Sequence, residues 1–149
     1  MLNLNNMVVF LRIIIGIVLL ASGFEKLLSP YQNFLYVLQA YEFFPTWLEK
    51  IVAISVPWVE LMVGLFMLLG LWTQWALKGA LLLFAGFIFI VGQALLRHLP
   101  MDQCGCFGES IHILPQHIIL FDSFTLLSII WLISQPIKVK AFSLDRYFQ

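Results

Sequence analysis

Two cysteines, Cys104 and Cys106, are the only thiols in this 149-residue sequence, and one glycine separates them in the stretch MDQCGCFGES (residues 101–110). Such a pair can be a redox dithiol, part of a metal site, or two unrelated structural thiols. A disulfide between them would close a very small ring, and the strain of that ring would make the bond easy to reduce. Gly105 provides the backbone freedom that such a ring needs. We therefore expect Cys104 and Cys106 to be a catalytic pair suited to thiol exchange.

The residues around the pair bear on its chemistry in two ways. Arg97, His98 and His112 would lower the pKa of a thiol and so favour the reactive thiolate. Asp102 and Glu109 would raise that pKa, and the sequence does not decide which effect is larger. Zinc frameworks usually place two to four residues between paired cysteines, and no pair of histidines here has a matching spacing. No metal site is predicted.

The composition of the chain is that of a membrane protein. Hydrophobic residues make up 62% of it and charged residues 11%, and the mean hydropathy is +0.97. A soluble domain has about 45–50% apolar and about 25% charged residues. The formal net charge is zero and there is no basic run, so nucleic acid is not a predicted partner. The predicted environment is a lipid bilayer.

Four apolar stretches are long enough to cross a bilayer, which takes about 18 residues or more. The first is interpreted as a retained helix, because no Lys or Arg precedes its apolar core as in a signal peptide. The sequence therefore predicts an all-α, membrane-embedded four-helix bundle that forms one domain over residues 1–149. The predicted spans are residues 7–28, 48–71, 75–96 and 116–134.

A further helix is predicted between the first two spans, within residues 29–47. Pro30 suits a first helical turn, Phe34 and Leu38 recur at helical spacing, and Pro45 is expected to end the helix. We expect an amphipathic helix on the membrane surface. An ordinary amphipathic connector is the alternative.

The distribution of Lys and Arg predicts the topology. An even number of spans places both termini on one side and the cysteine loop on the other. Cytoplasmic segments carry an excess of Lys and Arg. The side of the termini has five such residues and the other side three, so we expect cytoplasmic termini and a periplasmic cysteine loop in a bacterial inner membrane. The five are Arg12, Lys78, Lys138, Lys140 and Arg146, and the three are Lys26, Lys50 and Arg97.

Charged residues inside the spans share helix faces with glycines. Each such charge costs roughly 2.5–3.5 kcal/mol on insertion scales, and Glu60 is expected about 15 Å below the surface, too deep to reach water. Glycine-lined faces allow helices to approach closely. The predicted inward-facing sets are Arg12, Gly16, Gly23 and Lys26; Pro57, Glu60 and Gly64; Gly79, Gly86, Gln93 and Arg97; and, over a broader arc, Asp122, Thr125 and Ser128.

These charges support two interpretations. In the first, Lys26, Glu60 and Arg97 form a polar pocket under the cysteine loop, where they carry protons or bind the headgroup of a cofactor such as quinone. Alternatively, the charges only neutralise one another and hold the bundle in register. Lys26 taken alone, near a helix end, is expected to be an interfacial anchor.

The order of these motifs resembles a known family. The motifs are RIIIGIVLLASGFEKLLSP, YEFFP, PWVELMVGLFMLLG and ALLRHLPMDQCGCFGE. Over nearly the whole chain they are similar to the methylamine-utilisation protein MauE, within the wider DoxX-like group of small bacterial membrane proteins. The resemblance implies a four-helix inner-membrane protein of thiol–disulfide redox. MauE itself is linked to a thioredoxin-like partner in the maturation of a disulfide-rich periplasmic enzyme subunit of methylamine metabolism.

The resemblance also carries individual residues over to this chain. The fourth helix matches less well, because family members often have a basic residue at its start, where Phe121 and Asp122 stand here. That difference weakens any charge relay assigned to this helix. The residues carried over are Arg12, Gly23, Lys26, Glu60, Arg97, Cys104, Cys106, Phe107 and Gly108.

These observations predict a thiol–disulfide oxidoreductase that exchanges electrons with a thioredoxin-like periplasmic partner through Cys104 and Cys106. Because there is only one cysteine pair, a second electron acceptor is needed, either quinone or another protein. A membrane assembly or sensing subunit without enzymatic activity is the alternative. A transporter that uses Glu60 for proton coupling is less favoured, because the sequence has no internal repeat.

Overall fold

A computed structural model describes residues 4–97 and 115–135, and the backbone in both ranges is helical apart from short connections. The all-α prediction is confirmed. The ends of each predicted span lie within three residues of the ends of an observed helix. Cys104 and Cys106 lie outside the described residues. The helices are α1 (Leu4–Leu28), α2 (Tyr31–Ala40), α3 (Thr46–Leu69), α4 (Thr73–Leu96) and α5 (Pro115–Ile133).

Within the described ranges, three helices are long and apolar enough to cross a membrane. They are Asn6–Leu28, Thr46–Leu69 and Thr73–Leu96, with mean hydropathies of 2.5, 2.1 and 2.3. The fourth predicted span corresponds to α5, whose apolar part His117–Ile133 is shorter. At 1.5 Å per residue α5 extends about 28 Å, close to the roughly 30 Å of bilayer hydrocarbon.

Four helices form a closed arrangement around an apolar core. α1 packs along α3, α3 against α4, and α4 against α5, while α5 also contacts α1. Every one of these helices contributes to the buried cluster that includes Val8, Ile15, Met67, Leu77 and Ile129. Large apolar side chains also cover the outside of the helices, as expected of a surface that faces lipid.

Glycines set the close approach of α1 and α3. A Cβ atom on Gly64 would lie 2.8 Å from the carbonyl oxygen of Gly16, and one on Gly23 would lie 2.8 Å from that of Pro57. No larger residue fits at such distances without a shift of the backbone. The glycine faces predicted for the first two spans are therefore the faces along which these helices meet.

The same contacts show that α1 is offset along α3. With Gly16 facing Gly64, the last residue of α1, Leu28, lies roughly level with Val52, so α3 begins about 9 Å beyond the end of α1. Helix α2 occupies the space above that end, where Phe34 and Leu38 pack against α3. The predicted amphipathic pattern of α2 is confirmed, and its apolar face is covered by protein.

The predicted end of α2 is wrong. The helix ends at Ala40, before the turn that leads to Pro45, because the chain tightens there into short-range hydrogen bonds. The amide of Tyr41 donates to the carbonyl of Leu38 at 3.2 Å, and Glu42 follows with a φ of 47°, a left-handed conformation that a helix cannot continue.

Gly23→Ala is expected to destabilise the fold. The added Cβ would lie 2.8 Å from the Pro57 oxygen and 2.9 Å from the Leu61 nitrogen, both backbone atoms, so α1 must move away from α3. Overpacking of this kind lowers the free energy of unfolding by about 1–3 kcal/mol. Thermal unfolding of the detergent-solubilised protein measures the change.

Gly92→Ala is the matched control, because a Cβ at Gly92 meets nothing within 4 Å. It is expected to leave the stability unchanged or to raise it by up to about 1 kcal/mol through better helix propensity. Equal unfolding temperatures for the two variants would contradict the proposed role of Gly23.

Candidate functional site

A buried ion pair joins α1 to α3. The ammonium of Lys26 donates to both carboxylate oxygens of Glu60, at 3.0 Å to Oε1 and 2.9 Å to Oε2. Ser22 completes the group, since its Oγ accepts from Lys26 Nζ at 2.6 Å and donates to Glu60 Oε2 at 3.2 Å. All three residues are buried, and Glu60 has no exposed surface.

Helix geometry explains why these side chains meet. Ser22 and Lys26 are four residues apart and therefore share one face of α1. Side chains lean towards the N-terminus of their own helix. Because α1 and α3 are antiparallel, Lys26 leans deeper into the bundle and Glu60 leans towards Lys26. The anchor role expected for Lys26 alone is wrong. Because α1 ends short of α3, Lys26 lies about 12 Å inside the start of α3.

Two aromatic rings enclose the ammonium on its other side. Lys26 Nζ lies 5.5 Å from the ring centre of Phe34 on α2 and 5.3 Å from that of Phe87 on α4. A cation over an aromatic face is attracted by the electron-rich ring, and more strongly where water is excluded. Lys26 thereby connects α1 with α2, α3 and α4.

Helix α5 adds a second carboxyl group to this region. Asp122 is 3% exposed and lies within electrostatic range of both Lys26 and Glu60. The predicted inward arc of this helix is confirmed for Asp122 and Thr125, which are both buried, but not for Ser128, which is partly exposed. The site therefore includes two residues that were not among its predicted members, Ser22 and Asp122. Ser22 could have been predicted from its four-residue spacing to Lys26. Asp122 could have been predicted from its place on the inward arc of the fourth span.

Arg97 lies apart from this group. Its guanidinium is exposed at the end of α4 and donates to the carbonyl of Glu42 and to Gln93 Oε1, both at 3.4 Å. Gln93 in turn donates to the carbonyl of Tyr41 at 3.1 Å. Arg97 and Gln93 thus tie the turn after α2 to α4. Of the three residues predicted to form one pocket, the structure brings Lys26 and Glu60 together.

Arg12 is also buried, at 1% exposure, but it belongs to the other end of the bundle. It precedes Lys26 by fourteen residues on the same helix, which is about 21 Å of helix. The inward face predicted for α1 is confirmed, and it carries two separate buried charges.

An apolar cavity of about 250 Å³ lies between α2, α3 and α4. Phe34 and Phe87, the two rings that enclose the Lys26 ammonium, both line it. Gly86 lines it as well, and a Cβ there would meet nothing within 4 Å. On the inward face predicted for the third span, the lack of a side chain at Gly86 therefore leaves space that belongs to the cavity.

The two cysteines, Cys104 and Cys106, are outside the described residues, and so are two of the three histidines. The described chain stops at Arg97 and resumes at Pro115. Those two residues lie at the end of the bundle where α1 ends and α3 begins. The segment with both cysteines is thus attached at the end that holds Lys26 and Glu60.

The comparison with protein families agrees with these motifs. The family described as "Methylamine utilisation protein MauE" matches residues 4–135. The chain belongs to the MauE family. The matched range covers all five helices and the segment between α4 and α5 that contains the cysteine pair. Neither a curated protein nor a solved structure matched the chain.

Substitutions in the buried group are expected to have unequal effects on stability. Lys26→Met leaves the carboxyl groups of Glu60 and Asp122 without their ammonium, a loss of about 3–5 kcal/mol in the free energy of unfolding. Glu60→Gln keeps the shape and leaves Lys26 with Asp122, so its loss is expected to be smaller. Chemical unfolding in detergent compares the two variants.

Ser22→Ala is the control for the loss of hydrogen bonds alone, with an expected cost of about 1 kcal/mol. We expect Ser22→Ala to be the most stable of the three variants, Glu60→Gln the next and Lys26→Met the least stable. If Glu60→Gln destabilises as much as Lys26→Met or more, Asp122 does not share the Lys26 charge.

Proposed function

We propose that this member of the MauE family is a bacterial inner-membrane protein of thiol–disulfide exchange in the redox context of methylamine utilisation. Cys104 and Cys106 exchange electrons with a thioredoxin-like periplasmic partner and so support disulfide formation or maturation of another protein. The observation that carries the proposal is the family match, because it runs through the helices and the cysteine pair together.

The proposed reaction consists of two exchange steps. The thiolate of one cysteine attacks a disulfide of the partner, so that a mixed disulfide forms and one partner thiolate leaves. The second cysteine then attacks the mixed disulfide, which forms the bond between Cys104 and Cys106 and releases the second partner thiolate. Two electrons pass to the partner, and the reverse sequence returns them.

The charge distribution supports the orientation needed for this reaction. Without the buried Arg12 and Lys26, the sequence has four Lys and Arg residues on the predicted side of the termini and two on that of the cysteine segment, which favours cytoplasmic termini. The cysteine segment is then in the periplasm, where disulfides form and persist. A periplasmic thioredoxin-like protein would have access to it there.

The buried group of Lys26, Glu60 and Asp122 also supports the proposal. Lys26 and Glu60 hold α1 and α3 together near the end of the bundle to which the cysteine segment is attached. The Phe87 ring, 5.3 Å from Lys26 Nζ, brings α4, which precedes that segment, into the same group. Asp122 brings in α5, which follows the segment. The helices on both sides of the cysteine segment are thus held to a common centre, which limits how far the segment's two attachment points can separate.

Mixed-disulfide capture in cells tests the proposed exchange. A variant with one cysteine replaced, Cys104→Ser or Cys106→Ser, cannot resolve the intermediate, so at least one of the two is expected to accumulate a covalent adduct with a thioredoxin-like protein. Non-reducing gels followed by mass spectrometry identify the adduct. The double variant Cys104→Ser/Cys106→Ser is the control and should capture nothing.

Two results would contradict the proposal. One is that neither single variant captures a protein while the pair of the unaltered chain stays reduced in the periplasm. The other is that the double variant still supports full maturation of the partner, which would indicate an assembly subunit that does not use its thiols.

A further inference from the structure

We propose that the protein binds a phospholipid of the leaflet on the side of the cysteine segment. One acyl chain of the lipid lies in the apolar cavity between α2, α3 and α4, and its phosphate lies at Arg97. The cavity wall, the direction in which the cavity runs and the exposed guanidinium beyond its end support this site. The site involves neither cysteine, so it does not depend on the proposed thiol exchange.

The wall of the cavity suits a hydrocarbon chain. It consists of aliphatic and aromatic side chains and Gly86, and none of the described residues that form it is charged. The Lys26 ammonium lies behind the Phe34 and Phe87 rings and is paired with Glu60. An empty apolar cavity leaves its wall without van der Waals contacts, and a hydrocarbon chain restores these contacts without any need for a polar partner.

The size of the cavity suits part of an acyl chain. In another protein, an apolar cavity of about 150 Å³ binds benzene, which has six carbon atoms. The cavity here has a volume of about 250 Å³. In the same proportion it has room for about ten carbon atoms. A segment of one chain therefore fits inside, while the rest of the lipid stays in the bilayer beside the helices.

The cavity runs along the axis of α4 and opens towards the bilayer. Its lining on this helix extends from Leu82, near the middle, to Val91, a rise of about 13 Å. Leu82 is 74% exposed, and on a helix long and apolar enough to span a bilayer such a residue faces lipid. Spanning helices tilt by only about 20° on average from the bilayer normal, so lipid chains run in nearly the same direction. A chain can thus enter sideways without leaving the hydrocarbon layer.

A cation lies just beyond the end of the cavity that is nearer the cysteine segment. Tyr41 lines the cavity, and the guanidinium of Arg97 donates to the carbonyl of the next residue, Glu42. Arg97 is exposed, and it follows Val91 by six residues, which is about 9 Å further along α4. It therefore lies where a membrane-spanning helix ends, at the level of the lipid headgroups.

The guanidinium of Arg97 suits a phosphate. It has five N–H donors in a planar fork, and the two hydrogen bonds described above both start from Nη1 at 3.4 Å. Arginine binds phosphate through shorter, charge-assisted bonds, often two in parallel. A hydrocarbon chain in the cavity and a phosphate beyond its end belong together in one class of molecule, the phospholipids. A diacylglycerol has no phosphate, and a free phosphate ion has no chain.

Gly86→Leu tests the part of the site that holds the chain. A Cβ at Gly86 would meet nothing within 4 Å, so leucine fills the cavity without a clash of its Cβ. Gly92→Leu is the matched control, because Gly92 is on the same helix, its Cβ would also meet nothing within 4 Å, and it does not line the cavity. Both changes are made in the full chain.

The probe is dioleoylphosphatidylglycerol, added to the delipidated protein in a detergent without phosphate, and native mass spectrometry counts the bound lipid. The dissociation constants of the parent and of Gly92→Leu are expected to agree within about twofold, and binding to Gly86→Leu to be weaker by about tenfold or more. Dioleoylglycerol, which has the same chains and no phosphate, is expected to bind the parent about tenfold more weakly than the phospholipid.

Arg97→Gln tests the part of the site that holds the phosphate. It is expected to weaken binding of the phospholipid about fivefold or more and to leave binding of dioleoylglycerol unchanged, because only the contact to phosphate is lost. Arg97→Lys keeps the positive charge and should retain most of the affinity. If Arg97 served only to hold the turn after α2, Arg97→Gln would weaken the binding of both lipids alike.

Several results would overturn the inference. If Gly86→Leu binds the phospholipid as tightly as the parent does, the chain lies elsewhere, and an equal loss in both leucine variants is a general effect on the helix. Equal affinity of the parent for the two lipids, or an equal effect of Arg97→Gln on both, would exclude the phosphate contact. The unfolding temperature without lipid shows whether Gly86→Leu is folded, and the Arg97 variants test the site independently of it.

Discussion

The buried Lys26–Glu60 pair is the interaction on which the rest of the structure depends. An ion pair inside an apolar bundle persists only when both partners are well bonded, because each charge alone would be expensive to bury. Here Ser22 bridges the two groups, and two aromatic rings cover the ammonium. These contacts come from α1, α2, α3 and α4, so the pair specifies how four helices are placed relative to one another.

The pair acts together with the glycine contacts between α1 and α3. Gly16, Gly23 and Gly64 bring the two backbones close, and they also determine the offset that leaves α1 shorter than α3 at one end. That offset is the reason why a lysine two residues from a helix end is buried. It also creates the space that α2 occupies, and α2 with α3 and α4 encloses the cavity.

One end of the bundle thus holds most of the buried polar groups described above. The ion pair, Asp122, the aromatic cavity and the attachment points of the cysteine segment all belong to it, whereas Arg12 is buried about 21 Å away along α1. Family membership links the cysteine motif to this arrangement. The proposed thiol exchange would then take place at this end of the bundle.

The sequence by itself determined the four long helices, their approximate ends and the inward faces of the first two, but not the end of α2 or the exposed position of Arg97. Apolar length and helical period are local properties of the chain, which is why the four spans were predicted within three residues and why Glu60, Gly64 and Asp122 were expected to face inward. The tertiary structure alone decided which charges meet. Lys26 and Arg97 both lie near helix ends, yet Lys26 turns to Glu60 and Arg97 to the carbonyl of Glu42. The physical reason is that the offset between helices depends on contacts such as Gly16 with Gly64, between residues far apart in sequence, and no local pattern contains that offset.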